Sequence, residues 1–169
     1  FLGNYTKNDI EESITSLETL NNFTITDATT MPTMRYWGMT TFDDSNINQP
    51  VTLYRNMAKL TLKTGDGFTP NSCYIAGFVN RNISGTIVPG GHAVEDTPTI
   101  PNNVGKDSYE ADNRLGNVYY LFEHANVKNN SPLYVIIKVD DKYYKIAFAA
   151  GDTYFPILRN RAYEITVTE

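Results

Sequence analysis

Two histidines, one cysteine and nineteen acidic residues are the groups from which this 169-residue chain could build a reactive centre. Cys73 with His92 or His124 would make a thiol nucleophile and its base. Yet Cys73 stands beside Tyr74 and Ile75 in an apolar run, the setting of a buried, inert thiol. Glu123 and Glu164 are of the right type for the paired carboxylates of sugar hydrolysis, but nothing in their spacing brings them together, and solvated or paired strand residues are expected. Asp44-Ser45-Asn46-Ile47-Asn48 opens like a calcium loop. It then carries Gln49 where the loop needs Gly and Arg55 where it needs a bidentate Glu, so a polar turn is the better reading. No G-x-S-x-G elbow, H-E-x-x-H pair or Walker loop occurs. The chain is therefore expected not to be an enzyme and to use no cofactor and no metal.

Recognition is the other chemistry on offer. Tyr36-Trp37, next to Arg35, are candidates for a ligand-stacking platform under a sugar ring, and equally candidates for core, since large aromatic side chains bury most of their area. The Asn-x-Ser/Thr sites at Asn4, Asn22, Asn82 and Asn129 are weak signals in a chain rich in Asn and Thr.

The elements that must position these groups have a period of two almost throughout. The exception is residues 9–20, which read as a short helix capped by Asp9. Glu11 and Glu12 sit in its first turn, and Ile10, Ile14 and Leu17 share one face. After it, Phe23 and Ile25 alternate with threonines, and residues 33–42 form a second candidate strand. In 51–63, Ala58, Leu60 and Leu62 share one parity and Val51 and Leu53 the other, so a bulge near Tyr54-Arg55 is expected. Residues 73–79, 118–123 and 133–139 are apolar enough to be covered on both faces. Asp140-Asp141 reads as a tight turn into 142–149, with Tyr144, Ile146 and Phe148 facing inward. In the closing stretch Tyr163, Ile165 and Val167 alternate with Glu164, Thr166 and Thr168. Between 80 and 117 glycines and prolines break the pattern into a long loop-rich insertion. About seven short strands separated by turns point to an all-β sandwich in one domain, 1–169.

Composition agrees. Apolar residues make up 41% and charged residues 20%, with twelve Tyr and eight Phe, which suits a folded, β-rich domain. The formal net charge of −5 disfavours nucleic acid and anionic membranes as partners. The densest basic stretch is Arg159-Asn160-Arg161. One cysteine allows no internal disulfide, and no apolar run is long enough to span a bilayer. The start, Phe1-Leu2-Gly3-Asn4-Tyr5, has neither the basic nor the apolar region of a signal peptide.

Three segments in order, VTLYRNMAKLTL (51–62), VYYLFE (118–123) and YFPILRNRAYEITV (154–167), resemble the fimbrillin family of the Bacteroidales. In the family an Arg precedes Ala-Lys, as Arg55 does here. A Tyr-rich strand closes with Glu, and Ile-Leu-Arg-Asn precedes a Tyr and an alternating last strand, matching Arg159, Asn160 and Tyr163. After Pro156, an Arg and an Asn at a corner can hydrogen-bond loose carbonyls and fix the entry of the last strand, an architectural role.

The resemblance implies more. It implies a transthyretin-like Greek-key sandwich, here one domain of a two-domain type V pilin, with the second domain missing or the chain a shorter relative. It implies export as a lipoprotein to the outer membrane and the fimbrium, through an acylated precursor cysteine that this chain lacks. The partners it implies are other pilin subunits, joined by strand exchange at an open sheet edge. The alternative is a surface carbohydrate-binding or adhesin module whose partners are surface glycans or proteins, with binding loops on a rigid sandwich.

Overall fold

The computed structural model of the protein describes residues 2–3, 5, 14, 16–29, 31–41, 45, 48–68, 72–90, 96–102, 104–108 and 114–168. Asp9, His92, Asp44 and Asn46 lie outside the described residues. The fold is all-β and sandwich-like. Its strands, numbered in chain order, are more numerous and shorter than the sequence suggests: fifteen are present among the described residues.

Two three-stranded sheets make the sandwich. In one, Ala58–Thr64 (β5) lies between Val118–Leu121 (β10) and Ala162–Val167 (β15), antiparallel to β10 and parallel to β15. In the other, Tyr134–Val139 (β11) lies between Cys73–Val79 (β6) and Lys142–Ala147 (β12), antiparallel to both. The alternating residues Leu60, Leu62, Tyr119, Leu121, Ile75, Phe78, Val135 and Ile137 form one buried cluster between the sheets. Asp140 turns β11 into β12 with a left-handed φ of 50°, a conformation that Asp tolerates better than most residues.

A second buried cluster lies on the opposite side of β10, where Tyr120 packs with Trp37, Met57, Ile87, Val88 and Phe122. Short pieces cover it: Leu2–Gly3 (β1), Tyr36–Trp37 (β3) and Tyr54–Arg55 (β4) form one small sheet, and Thr24–Thr26 (β2) pairs with Ser84–Thr86 (β8). At Gly85 a Cβ would stand 2.5 Å from the Phe122 ring, so only glycine lets β8 lie this close. The loop-rich stretch 80–117 holds β8, Arg81–Asn82 (β7) and Lys106–Asp107 (β9), with β7 and β9 paired. The last small pair is Ala149–Ala150 (β13) with Thr153–Tyr154 (β14).

Three expectations change. The described helix is α1, Leu17–Asn21 alone, and Ser16 caps it. Ser16 is extended (φ −153°, ψ 169°), and its Oγ accepts the Thr19 N–H at 3.1 Å, so Ser16 starts the described helix. Residues 51–63 are not one bulged strand: β4 and β5 belong to different sheets. The backbone between them is committed elsewhere, because Asn56 N–H donates to Arg35 O (3.0 Å) and Met57 O accepts the Asn160 N–H (2.9 Å). The candidate strand 33–42 shrinks to β3.

Candidate strand-docking groove

The residues from Pro156 to Tyr163 form a corner that launches β15. Tyr163 Oη accepts the Leu158 N–H at 2.9 Å and donates to Pro156 O at 3.0 Å. Burial pushes the pKa of this hydroxyl up, which keeps the proton it donates. Asn160 adopts a left-handed φ of 56°. Its N–H donates to Met57 O at 2.9 Å, and its Oδ1 accepts the Arg55 N–H at 3.3 Å.

Arg159 is the anchor. Its side chain is 3% exposed and pairs with Glu123, 4% exposed, at 2.7 Å. Nη1 donates to Ile87 O (2.7 Å), and Nη2 donates to Thr86 O (3.2 Å) and to Thr86 Oγ1 (2.7 Å). Glu123 in turn accepts the backbone N–H groups of Arg159 and Thr99, each at 3.1 Å. An ion pair this buried persists because hydrogen bonds surround both partners. Glu164, by contrast, is exposed on β15 and pairs with Lys63 at 2.7 Å, so the two carboxylates occupy unlike sites. Lys63 holds the Glu164 carboxyl below its usual pKa.

The corner places β15 at one edge of its sheet, with β12 at one edge of the other. Among the described residues neither strand has a second partner. Inward-facing positions follow from register: Tyr144 pairs with buried Ile137, and Ile165 pairs with buried Leu62. Tyr144 does take the inward parity expected of it, yet it is 46% exposed. Ile146, Ile165 and Val167 are only partly buried. A cavity of about 490 Å³ lies between the two strands, lined by apolar residues such as Ile137, Ile146, Ile165 and Val167 and, at its rim, by Tyr144 and Lys145. Phe148 and Tyr163, both packed against the same buried cluster, meet edge to face at 6.2 Å.

Of the remaining residues singled out in the sequence, Tyr36, Arg55 and Asn160 line a smaller cavity of about 300 Å³. Trp37, 3% exposed, belongs to the second buried cluster, so no ring face is left there to stack on a sugar. Cys73 is 3% exposed, and burial raises its thiol pKa. His124 is equally buried: its Nδ1 accepts the Asn126 N–H at 2.9 Å, and desolvation lowers its pKa to about 4. Asn126, which the sequence reading passed over, is a hub. Its Nδ2 donates to Phe148 O (3.1 Å) and Phe155 O (2.8 Å), and its Oδ1 accepts the Leu133 N–H (2.9 Å). Its place in the polar stretch HANVKNN offered no signal that would separate it from the asparagines beside it.

No protein-family model matches the chain, and no curated protein matches it. Among solved structures, that of a candidate cell adhesion protein from Bacteroides uniformis is similar, with a TM-score of 0.51 and 12% sequence identity. The similarity covers 92% of this chain and 64% of the other, so the chain spans less than two thirds of that protein's length. At that identity the likeness is one of fold, and the fold it shares is the sandwich described above.

Proposed function

We propose that this chain is a subunit of a bacterial cell-surface adhesion fibre of the fimbrillin kind, joined to its neighbour by a β-strand docked between β12 and β15. One observation carries the reading: two edge strands, neither with a second partner among the described residues, flank an inward-facing, mainly apolar surface that is part-exposed. An added strand would satisfy the free N–H and C=O groups of an edge and cover Tyr144, Ile146, Ile165 and Val167 with its alternate side chains. The corner at Arg159 holds β15 in place to receive it. The structural likeness to a candidate adhesion protein supports the adhesive role, and the ordered segments around Arg55, Glu123 and Arg159 support the fimbrillin kind. In this reading the chain is exported and held at the outer membrane through a lipid anchor on its precursor.

The test is an immunoblot of the native organism's sheared surface fraction, unheated in SDS, comparing the unchanged protein with Ile165→Arg. A ladder for the unchanged protein that collapses to a single band for the variant is expected. A single band absent from fibres, or a ladder that Ile165→Arg leaves intact, overturns the reading.

A further inference from the structure

The outer faces of the two sheets differ. That of β10 and β5 is covered by the second buried cluster, whereas among the described residues no such cluster forms on the outer face of β12, β11 and β6. On β11, Val135 and Ile137 point into the core, so Tyr134, Ile136 and Lys138 point outward. Their partners share that face: Ala147, Lys145 and Tyr143 on β12, and Val79, Gly77 and Tyr74 on β6. None of these nine residues is acidic, in a chain whose net charge is −5.

The charged groups are arranged against the rings. Lys145 Nζ lies 4.4 Å from the Tyr134 ring centroid, Lys138 Nζ lies 5.5 Å from that of Tyr143, and Arg114 Cζ lies 4.9 Å from that of Tyr74. Lys138 and Lys145 have no ion pair among the described residues. Acidic residues stand at the ends of the face and not on it: Asp140 and Asp141 form the hairpin turn, and Asp152, paired with Lys128, lies near Tyr154, which hydrogen-bonds Tyr134.

We propose that this tyrosine–lysine face binds an anionic polysaccharide, its lysines pairing with carboxylate or sulfate groups and its phenol hydroxyls bonding to sugar hydroxyls. A face that runs along three paired strands suits an extended chain, and a cluster of one sign of charge concentrates the opposite sign around it. Single-stranded nucleic acid fits less well, because bases stack on open ring faces and a cation already stands over each of these three rings. The inference deepens the adhesion reading by naming the chemistry of a partner, and it uses the outer face of the sheet, which meets the docking groove at Lys145.

The experiment is a binding isotherm at low salt for the 169-residue chain with polygalacturonate, dextran sulfate, neutral dextran and an oligo-dT strand. The expected result is binding to either anionic polymer, weakened by salt, with no binding to dextran. Lys138→Gln/Lys145→Gln should weaken it by roughly tenfold or more while the urea midpoint stays unchanged. Ile165→Gln, which changes the groove without adding charge, should bind as the unchanged chain does, which separates the effect of the lysines from that of the groove. No binding to either anionic polymer overturns the proposal, as does equal binding by the double variant, equal binding to dextran, or tighter binding to oligo-dT.

Discussion

The two flanks of the sandwich are built from the same alternating pattern and end differently. On the β6–β10 flank the chain closes on itself. Ile75 bridges to Gly116, Phe78 packs on Tyr119 at 4.6 Å, and Arg81, held by Asp107 at 2.6 Å, donates to the Tyr119 hydroxyl. Phe78 and Tyr119 are fully buried there. On the β12–β15 flank the corresponding inward residues are half-covered, and Tyr144 is 46% exposed. An open flank in a folded sandwich forgoes burial that the closed flank obtains, and it leaves two edges that can pair with another chain.

The comparison breaks most severely at its anchor. Arg159→Met should cost about 3–5 kcal/mol in urea unfolding, since it strands the buried Glu123 carboxylate. Adding Glu123→Leu should restore part of that loss. Phe78→Ala, on the closed flank, should cost a similar amount, about 3–5 kcal/mol, through a cavity at a site with 0% exposure. Asn126→Ala should cost roughly 1–3 kcal/mol. It removes a donor from the Phe148 and Phe155 carbonyls and the acceptor of the Leu133 N–H.

A pH series sharpens the contrast further. His124 is neutral when folded, with its pKa lowered to about 4, whereas the unfolded chain takes up a proton near the ordinary value of 6.5. Between those two values the unfolded state binds more protons, so stability should fall as pH drops from about 6.5 to about 4 and level off below. In His124→Gln that slope should flatten. The smallest effect belongs to the open flank, where Tyr144→Ala should change stability by no more than about 0.5 kcal/mol. A loss at Tyr144 as large as that at Phe78 would mean that the flank is closed after all.

Period-two alternation made β10, β11 and β15 legible from the sequence, because each buries one parity against the other sheet. It also set Tyr144 and Ile165 on the correct face. Alternation reports direction and not cover, so the groove itself could not be read: nothing local to KYYKIAFA says whether an opposing strand exists. Arg159 and Asn160 stood out through their place in an ordered set of segments. Glu123 did not, because a glutamate closing a strand reads as solvated until a buried guanidinium is known to meet it. The split of 51–63 was hidden for the same reason. The partners of Asn56 and Met57 are Arg35 and Asn160, which are far away along the chain.

The parallel pairing of β15 with β5 joins Ala162 to Lys59, contacts separated by most of the chain. Local hairpins such as β11–β12 close early, whereas this pairing carries a large loop-closure entropy and forms late. During synthesis β5 therefore waits with one side unmatched until β15 emerges. On the proposed reading, the groove beside β15 is complete only once β15 has docked on β5, which would place folding of this sheet before assembly.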